Sequence, residues 1–281
     1  MTADRAHDLG GLGGLGDLGD LGDVGDLLDL AGRAAAAGAA VHRAGIGRDL
    51  EVGLKSSAAD LVTKVDREAE RAIVETIRGA RPGDAILGEE LTEWPGTSGV
   101  RWVVDPLDGT RNYVYRYPAF CVSIGVEVGG APAVGVVHDS AHGVVYTAAR
   151  GLGARRDGEP IHVTERPLER SLLATGFSYD AGGRRWQAEI LVRILPQVHD
   201  IRRSGSAALD LCMVATGQVD GFYELGLAPW DVAAGSVIAR EAGAEVIVFD
   251  LPNTSNLGIV AANPGLARAL FEELRAAGAV A

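Results

Sequence analysis

The stretch Trp102-Val103-Val104-Asp105-Pro106-Leu107-Asp108-Gly109-Thr110-Arg111-Asn112-Tyr113 decides how this chain is read. Two β-branched residues behind an aromatic one, bounded by proline and glycine, suit a short buried strand. Pro106 lacks a backbone donor and is expected to end that strand at Asp105. The turn then holds Asp105, Leu107 and Asp108 at a strand's carboxyl end, where open α/β sheets bind ligands. Two carboxylates about 4 Å apart repel by roughly 4 kcal/mol at an effective dielectric near 20, so one keeps its proton or a cation lies between them. Hard oxygen donors favour Mg²⁺. Gly109-Thr110 allows close backbone approach to a ligand, and amides opening a helix near Asn112 suit a phosphate. Two readings stand at this point: a metal and phosphate site, or a Pro/Asp/Gly turn with a helix cap.

Working outward, Ala85-Ile86-Leu87 reads as a strand that stops at Gly88-Glu89-Glu90, a second strand end delivering a carboxylate. Asp66 precedes Ala69, Ile73 and Ile77 at helical spacing and is expected to be a helix N-cap. An alanine-rich amphipathic helix is expected from about Asp26 to Val41, closed by Gly45 and Gly47. Residues 119–128, 131–138 and 143–149 read as strands with hairpin links. Strands and helices alternate beyond Ser171: a helix over 184–195, Ser204-Gly205-Ser206 opening a helix over 207–215, a strand near 219–224, and Pro229-Trp230-Asp231 starting another helix. This alternation implies a layered α/β architecture with mixed sheets. The chain divides into a Gly/Asp/Leu-rich tail, 1–25, expected to be disordered, and one domain, 26–281, of two joined halves, about 26–150 and 151–281.

Composition narrows the function classes. A hydrophobic content of 47% suits a globular protein, and the net charge of -12 disfavours nucleic-acid and acidic-membrane binding. That charge is uneven, because residues 1–29 carry seven Asp against one Arg. Cys121 and Cys212 sit in apolar segments without zinc spacing, which suits buried thiols in a reducing cytoplasm. No apolar run is long enough to span a membrane, so a soluble cytoplasmic protein is expected. Gly11, Gly13 and Gly16 form a GxGxxG, but no strand precedes it and no ribose-binding acid follows. The six His form no HExxH pair, and no GxSxG elbow or P-loop occurs.

Lys55–Asp66, Leu87-Gly88-Glu89-Glu90, Trp102–Tyr113, Arg203–Ala208 and Tyr223–Gly235, in this order, resemble the inositol monophosphatase family of Mg²⁺-dependent, Li⁺-sensitive phosphatases. The resemblance runs from about residue 27 to the C-terminus. It implies an αβαβα sandwich and a homodimer. It implies Glu89, Asp105, the Leu107 carbonyl, Asp108 and Asp231 as metal ligands. It also implies that Thr110 and Asp66 orient the attacking water, that the Gly109 and Thr110 amides bind phosphate, and that Gly205, Ser206, Ala207 and Glu224 contact an inositol ring. Lys55 and Asp60 fall in a segment that moves with metal occupancy in this family.

The implied activity is Mg²⁺-dependent hydrolysis of myo-inositol monophosphate, with a small phosphorylated polyol or sugar as substrate and no nucleic-acid partner. Relatives on this scaffold also hydrolyse histidinol phosphate, fructose 1,6-bisphosphate or phosphoadenosine phosphate, and fold alone does not choose among them. A reading of another class is a non-catalytic partner in a nucleic-acid-associated complex. Arg111 occupies a variable slot of the motif, with two readings: selection of a more anionic substrate, or a surface ion pair.

Overall fold

The computed structural model of the chain describes residues 21–47, 52–54, 61–90, 93–251 and 256–280. Lys55, Asp60 and the first twenty residues of the expected tail lie outside them. Helix α1 runs over Leu21–Gly45. It starts five residues before the expected boundary, so the end of the Gly-Asp-Leu repeat is helical rather than disordered. Val24, Leu27, Leu30, Ala31, Ala34, Ala35 and Ala39 are buried at three- and four-residue spacing, a helical stripe against the core. A short antiparallel pair follows, β1 (Val52–Leu54) and β2 (Leu61–Thr63), and then α2 (Lys64–Ala80). Asp66 is not the N-cap that the spacing predicts. It lies inside the first turn of α2, because the helix begins at Lys64.

Strands β3 (Ala85–Gly88), β4 (Val100–Asp108), β5 (Cys121–Val128), β6 (Ala131–Asp139), β7 (Val144–Ala149), β8 (Ala154–Arg156) and β9 (Glu159–Pro160) form one sheet in chain order. Between β4 and β5 the one-and-a-half-turn helix α3 covers Thr110–Tyr115. β3 and β4 are parallel and the remaining pairs antiparallel. Contrary to expectation, β4 does not stop at Asp105. Its pairing with β5 breaks after Asp105 and resumes at Asp108 opposite Cys121, so Pro106 and Leu107 form a bulge that absorbs the missing donor.

The second half gives β10 (Leu172–Thr175), α4 (Ala181–Ile194), β11 (Asp200–Arg202), α5 (Ala207–Ala215), β12 (Gly221–Leu227), α6 (Pro229–Glu241), β13 (Glu245–Asp250), β14 (Leu257–Ala262) and α7 (Pro264–Ala276). Its sheet has the order β11-β10-β12-β14-β13, with β10 parallel to both β11 and β12 and the other pairs antiparallel. Both sheets are mixed.

Buried clusters fix the layering. One joins α1 and α2 to β4, β5 and β6, and a second joins the other face of that sheet to α5 and α6. A third joins α5 and α6 to the second sheet, and a fourth packs α4 and α7 on its far face. The result is the expected αβαβα sandwich, with α5 and α6 as the middle layer. α6 approaches the first sheet closely because Gly125 and Gly135 lie beneath it. A Cβ on Gly125 would come 2.7 Å from that of Ala233, and one on Gly135 would strike the Ala234 carbonyl. Among the described residues, no helix is long and apolar enough to cross a membrane.

Candidate active site

One cavity of about 550 Å³ opens where the two sheets and the middle helices meet. Glu89, Asp105, Leu107, Asp108, Gly109, Thr110, Gly205, Ala207, Glu224 and Asp231 line it. Ten of the twelve residues that the resemblance implies as metal, water, phosphate or ring contacts are thus brought together from five separate segments. The other two stand directly behind the lining: Asp66 accepts a hydrogen bond from the Thr110 hydroxyl, and Ser206 donates one to Asp108.

Local structure explains the convergence. Because β3 and β4 are parallel with Gly88 paired to Val104, their carboxyl ends lie side by side and Glu89 emerges next to Asp105. The Glu89 amide donates to the Val104 carbonyl at 3.2 Å, extending that register. In the β4 bulge, Asp105 Oδ1 accepts from the Leu107 amide at 2.9 Å. Asp108 Oδ2 accepts from Ser206 Oγ at 2.7 Å and from the Ala208 amide at 2.8 Å, so it sits on the electropositive start of α5. Asp231, three residues into α6, accepts from the Ala228 amide at 2.7 Å, the carboxylate half of a capping box. Each aspartate thereby has one oxygen tied to backbone, which orients the group.

Gly109 has φ 91°, a left-handed conformation that glycine reaches without strain, and it caps α3. Asn112 Nδ2 donates to the carbonyls of Ala119 and Ser204 and so binds this turn to the loop before α5. Ser206 caps α5 through its hydroxyl, which accepts from the Leu209 amide at 3.3 Å. Glu224 lies on β12 with its carboxyl over Gly176, where a Cβ would collide with it.

Electrostatics shows what this arrangement demands. Burial, then the carboxylates of Glu89, Asp108 and Asp231, hold Asp105 well above the usual carboxylate range. Burial, then Asp108 and Glu89, do the same to Asp231. Asp108 is raised by burial, against its bonds to Ser206 and the α5 amides. Glu224 is pushed up to about 8 by burial and by Asp210 and Asp108, with Arg203 opposing. Asp210, buried one turn into α5, is also pushed to about 8, mainly by burial. Buried acids so close together must hold protons or share a cation.

Among the described residues, no three histidine, cysteine or acidic side chains stand together as a group that could hold a metal ion. The donor chemistry nevertheless fits a hard divalent cation: four carboxylates and a backbone carbonyl, all oxygen, with a charge repulsion that a cation would relieve. Neither thiol is a candidate ligand or nucleophile, because burial raises both far above their ordinary range.

Part of the lining was not anticipated. Phe177, Ser178, Tyr179 and Asp180 follow β10, and Asn256 precedes β14. The first four carry no motif, but they follow the carboxyl end of a parallel strand, which was the available signal. The Arg111 guanidinium lies over the ring of Tyr179, a residue of the lining, 4.0 Å from the centroid, a cation–π contact that neither of its two readings included.

A model of the inositol monophosphatase family matches residues 24–279. The chain belongs to the inositol monophosphatase family. This family member is 47% identical over 248 residues to inositol-1-monophosphatase SuhB of Mycobacterium tuberculosis, with 84% of each chain covered. It is 44% identical over 223 residues to the Nus factor SuhB of Escherichia coli K12, covering 77% of this chain and 83% of that one. Among solved structures, extragenic suppressor protein SuhB of Bartonella henselae superposes with a TM-score of 0.83 at 35% identity, covering 89% of this chain and 98% of that one. Family membership supports a phosphatase and, in general, metal dependence.

Proposed function

We propose that this chain is a Mg²⁺-dependent phosphomonoesterase that hydrolyses myo-inositol monophosphate to inositol and phosphate. The observation that carries the reading is the convergence of Glu89, Asp105, Leu107, Asp108 and Asp231 on one cavity beside the Gly109-Thr110 turn. Bound Mg²⁺ would neutralise charge on the phosphoryl oxygens and make water acidic enough to attack near neutral pH. The chain's own groups do the rest. The Thr110 hydroxyl donates to Asp66 Oδ1 at 3.0 Å, which turns its oxygen lone pairs toward the role of acceptor for the attacking water. The Gly109 and Thr110 amides hold a phosphate oxygen. Gly205 and Ala207 border the ring, with Ser206 fixing Asp108 beside them, and Glu224 accepts hydrogen bonds from ring hydroxyls.

The test is phosphate release from a panel of inositol monophosphate, histidinol phosphate, fructose 1,6-bisphosphate and phosphoadenosine phosphate, in EDTA and in Mg²⁺. Expected is Mg²⁺-dependent turnover with inositol monophosphate preferred, and a loss of at least about 100-fold in Asp105→Asn with the fold intact. No Mg²⁺-dependent release from any member of the panel would sink the proposal. Inhibition by Li⁺, a cytoplasmic setting and a homodimer belong to the same reading. Tyr115, the last residue of α3, and Tyr117 just beyond it, 80% and 53% exposed, supply apolar surface for a second copy.

A second reading has its own observation, the Nus factor name of the relative at 44% identity. In that reading the chain serves as a partner in a nucleic-acid-associated complex. The net charge of -12 favours a protein surface over direct contact with a phosphate backbone. Association with such a complex that survives in Asp105→Asn, together with an inactive wild type, would favour it.

A further inference from the structure

His42 reaches the catalytic turn from outside the site. It lies on α1, in the outer helical layer, and is 0% exposed. Its Nε2 is 2.9 Å from the Pro106 carbonyl oxygen, its Nδ1 is 2.8 Å from Ser140 Oγ, and its own carbonyl accepts the Tyr113 hydroxyl at 2.8 Å. A carbonyl only accepts, so Nε2 carries the proton, Nδ1 is the acceptor and Ser140 is the donor. Burial keeps the ring in this neutral form, pushing its pKa down to about 3. The rings of Tyr113 and Phe120, with centroids 5.9 and 6.1 Å away, hold the imidazole in place.

Pro106 and Tyr113 are the two ends of the turn that carries Leu107, Asp108, Gly109 and Thr110. The β4–β5 ladder is interrupted between Asp105 and Asp108, so the Pro106 carbonyl lies in the part of the strand that the sheet does not pair. Leaving a buried carbonyl without a donor would cost about 1–3 kcal/mol. One residue of an outer helix therefore satisfies that carbonyl through its ring and receives the far end of the turn through its backbone.

From this geometry we infer that His42 is a positioning residue: its Nε2–H bond to Pro106, braced by Ser140, sets the β4 bulge that places Asp105, the Leu107 carbonyl and Asp108 around the cavity. The inference rests on the proposed function only for what that turn does, and hydrogen exchange tests it without any turnover. In the metal-free full chain, His42→Leu keeps the volume and removes the donor, whereas His42→Gln keeps an amide donor. The expected result for His42→Leu is about tenfold faster amide exchange across Leu107–Thr110 with Val100–Val104 unchanged, and about tenfold weaker Mg²⁺ binding by calorimetry. His42→Gln should stay within about threefold of wild type in both measurements.

Exchange in the turn equal to wild type, or a uniform acceleration along the whole of β4, overturns the inference. Should His42→Leu fail to fold, Ser140→Ala removes only the brace, and about threefold faster exchange confined to the turn is expected; an unchanged turn there overturns it equally. A wild-type protein that releases no phosphate would defeat the proposed function while the exchange comparison still decides the role of His42.

Discussion

Thr110 has one hydroxyl proton and two acceptors within reach, Asp66 Oδ1 and the Leu107 carbonyl, each at 3.0 Å. Both acceptors orient the oxygen, so its lone pairs are presented in a fixed direction, and a side chain of the same shape without the hydroxyl isolates that contribution. Thr110→Val should lower kcat by about 100-fold with KM within about threefold, the split expected when an interaction matters in the transition state rather than in binding. A KM rise with unchanged kcat would assign Thr110 to substrate binding instead. Glu224 should behave in the opposite way. Glu224→Gln keeps the shape and replaces one carboxyl oxygen acceptor with an amide donor, so KM for a polyol phosphate should rise by about tenfold while release from a simple aryl phosphate stays near wild type; equal losses on both substrates would contradict a ring contact. At this scale the sequence was informative wherever a side chain's chemistry is tied to a turn, as with Asp105 and Asp108. It was silent where partnership is purely spatial, as for the Arg111–Tyr179 stack and for His42, whose Pro106 partner is 64 residues away.

Among the elements, α6 carries Asp231 and its height over the first sheet is set by two glycines. Gly135→Ala would place a methyl against the Ala234 carbonyl, and backbone must move to admit it. The expected cost is about 1–3 kcal/mol in urea denaturation, with weaker Mg²⁺ binding because Asp231 moves with its helix; wild-type stability would show that the approach is looser than described. Ser206 serves two elements, capping α5 and donating to Asp108. Ser206→Ala should cost about 1 kcal/mol from the lost cap and also lower turnover, and a stability loss without an activity loss would separate the two roles. Strand positions were legible because β-branched runs bounded by glycine and proline are local signals. The bulge at Pro106 was not, since a proline reads as a stop unless a neighbouring strand resumes the ladder beyond it. Asp66 was misplaced as a cap for a related reason, since a carboxylate one turn before an apolar stripe looks like one; its pairing with Thr110, which the structure holds, was implied by the family resemblance and not by the helical spacing.

For the whole molecule, the buried acids make stability a function of pH. In the folded chain without metal, Asp105 and Asp231 retain protons well above the usual carboxylate range, and Glu224 and Asp210 retain theirs up to about 8. Unfolded, all four ionise near ~4. The folded state therefore binds more protons over that interval, so its stability is complete below the unfolded values and falls as pH rises through the folded ones. The melting temperature in EDTA should decline between about pH 5 and about pH 8, and Mg²⁺ should restore it most at the alkaline end. A melting temperature in EDTA that stays flat across this range would mean that the acids are better solvated than their burial implies. The order of elements implied a layered α/β architecture with mixed sheets, whereas the five layers and the shared site were implied by resemblance to the family. Which helices form the middle layer was not legible, because α5 and α6 are apolar on more than one face and only packing between two sheets explains that.

The acids come from positions as far apart as Glu89 and Asp231, and this has a consequence during synthesis. A growing chain that has folded its first sheet already holds Glu89, Asp105 and Asp108, but lacks the helix that brings Asp231 and the α5 amides that steady Asp108. Until then Asp108 lacks its bonds from Ser206 and the Ala208 amide, and the acid set is incomplete. In the proposed metal site the full set of acids exists only once both halves of the chain have closed on each other, so Mg²⁺ binding would report that closure.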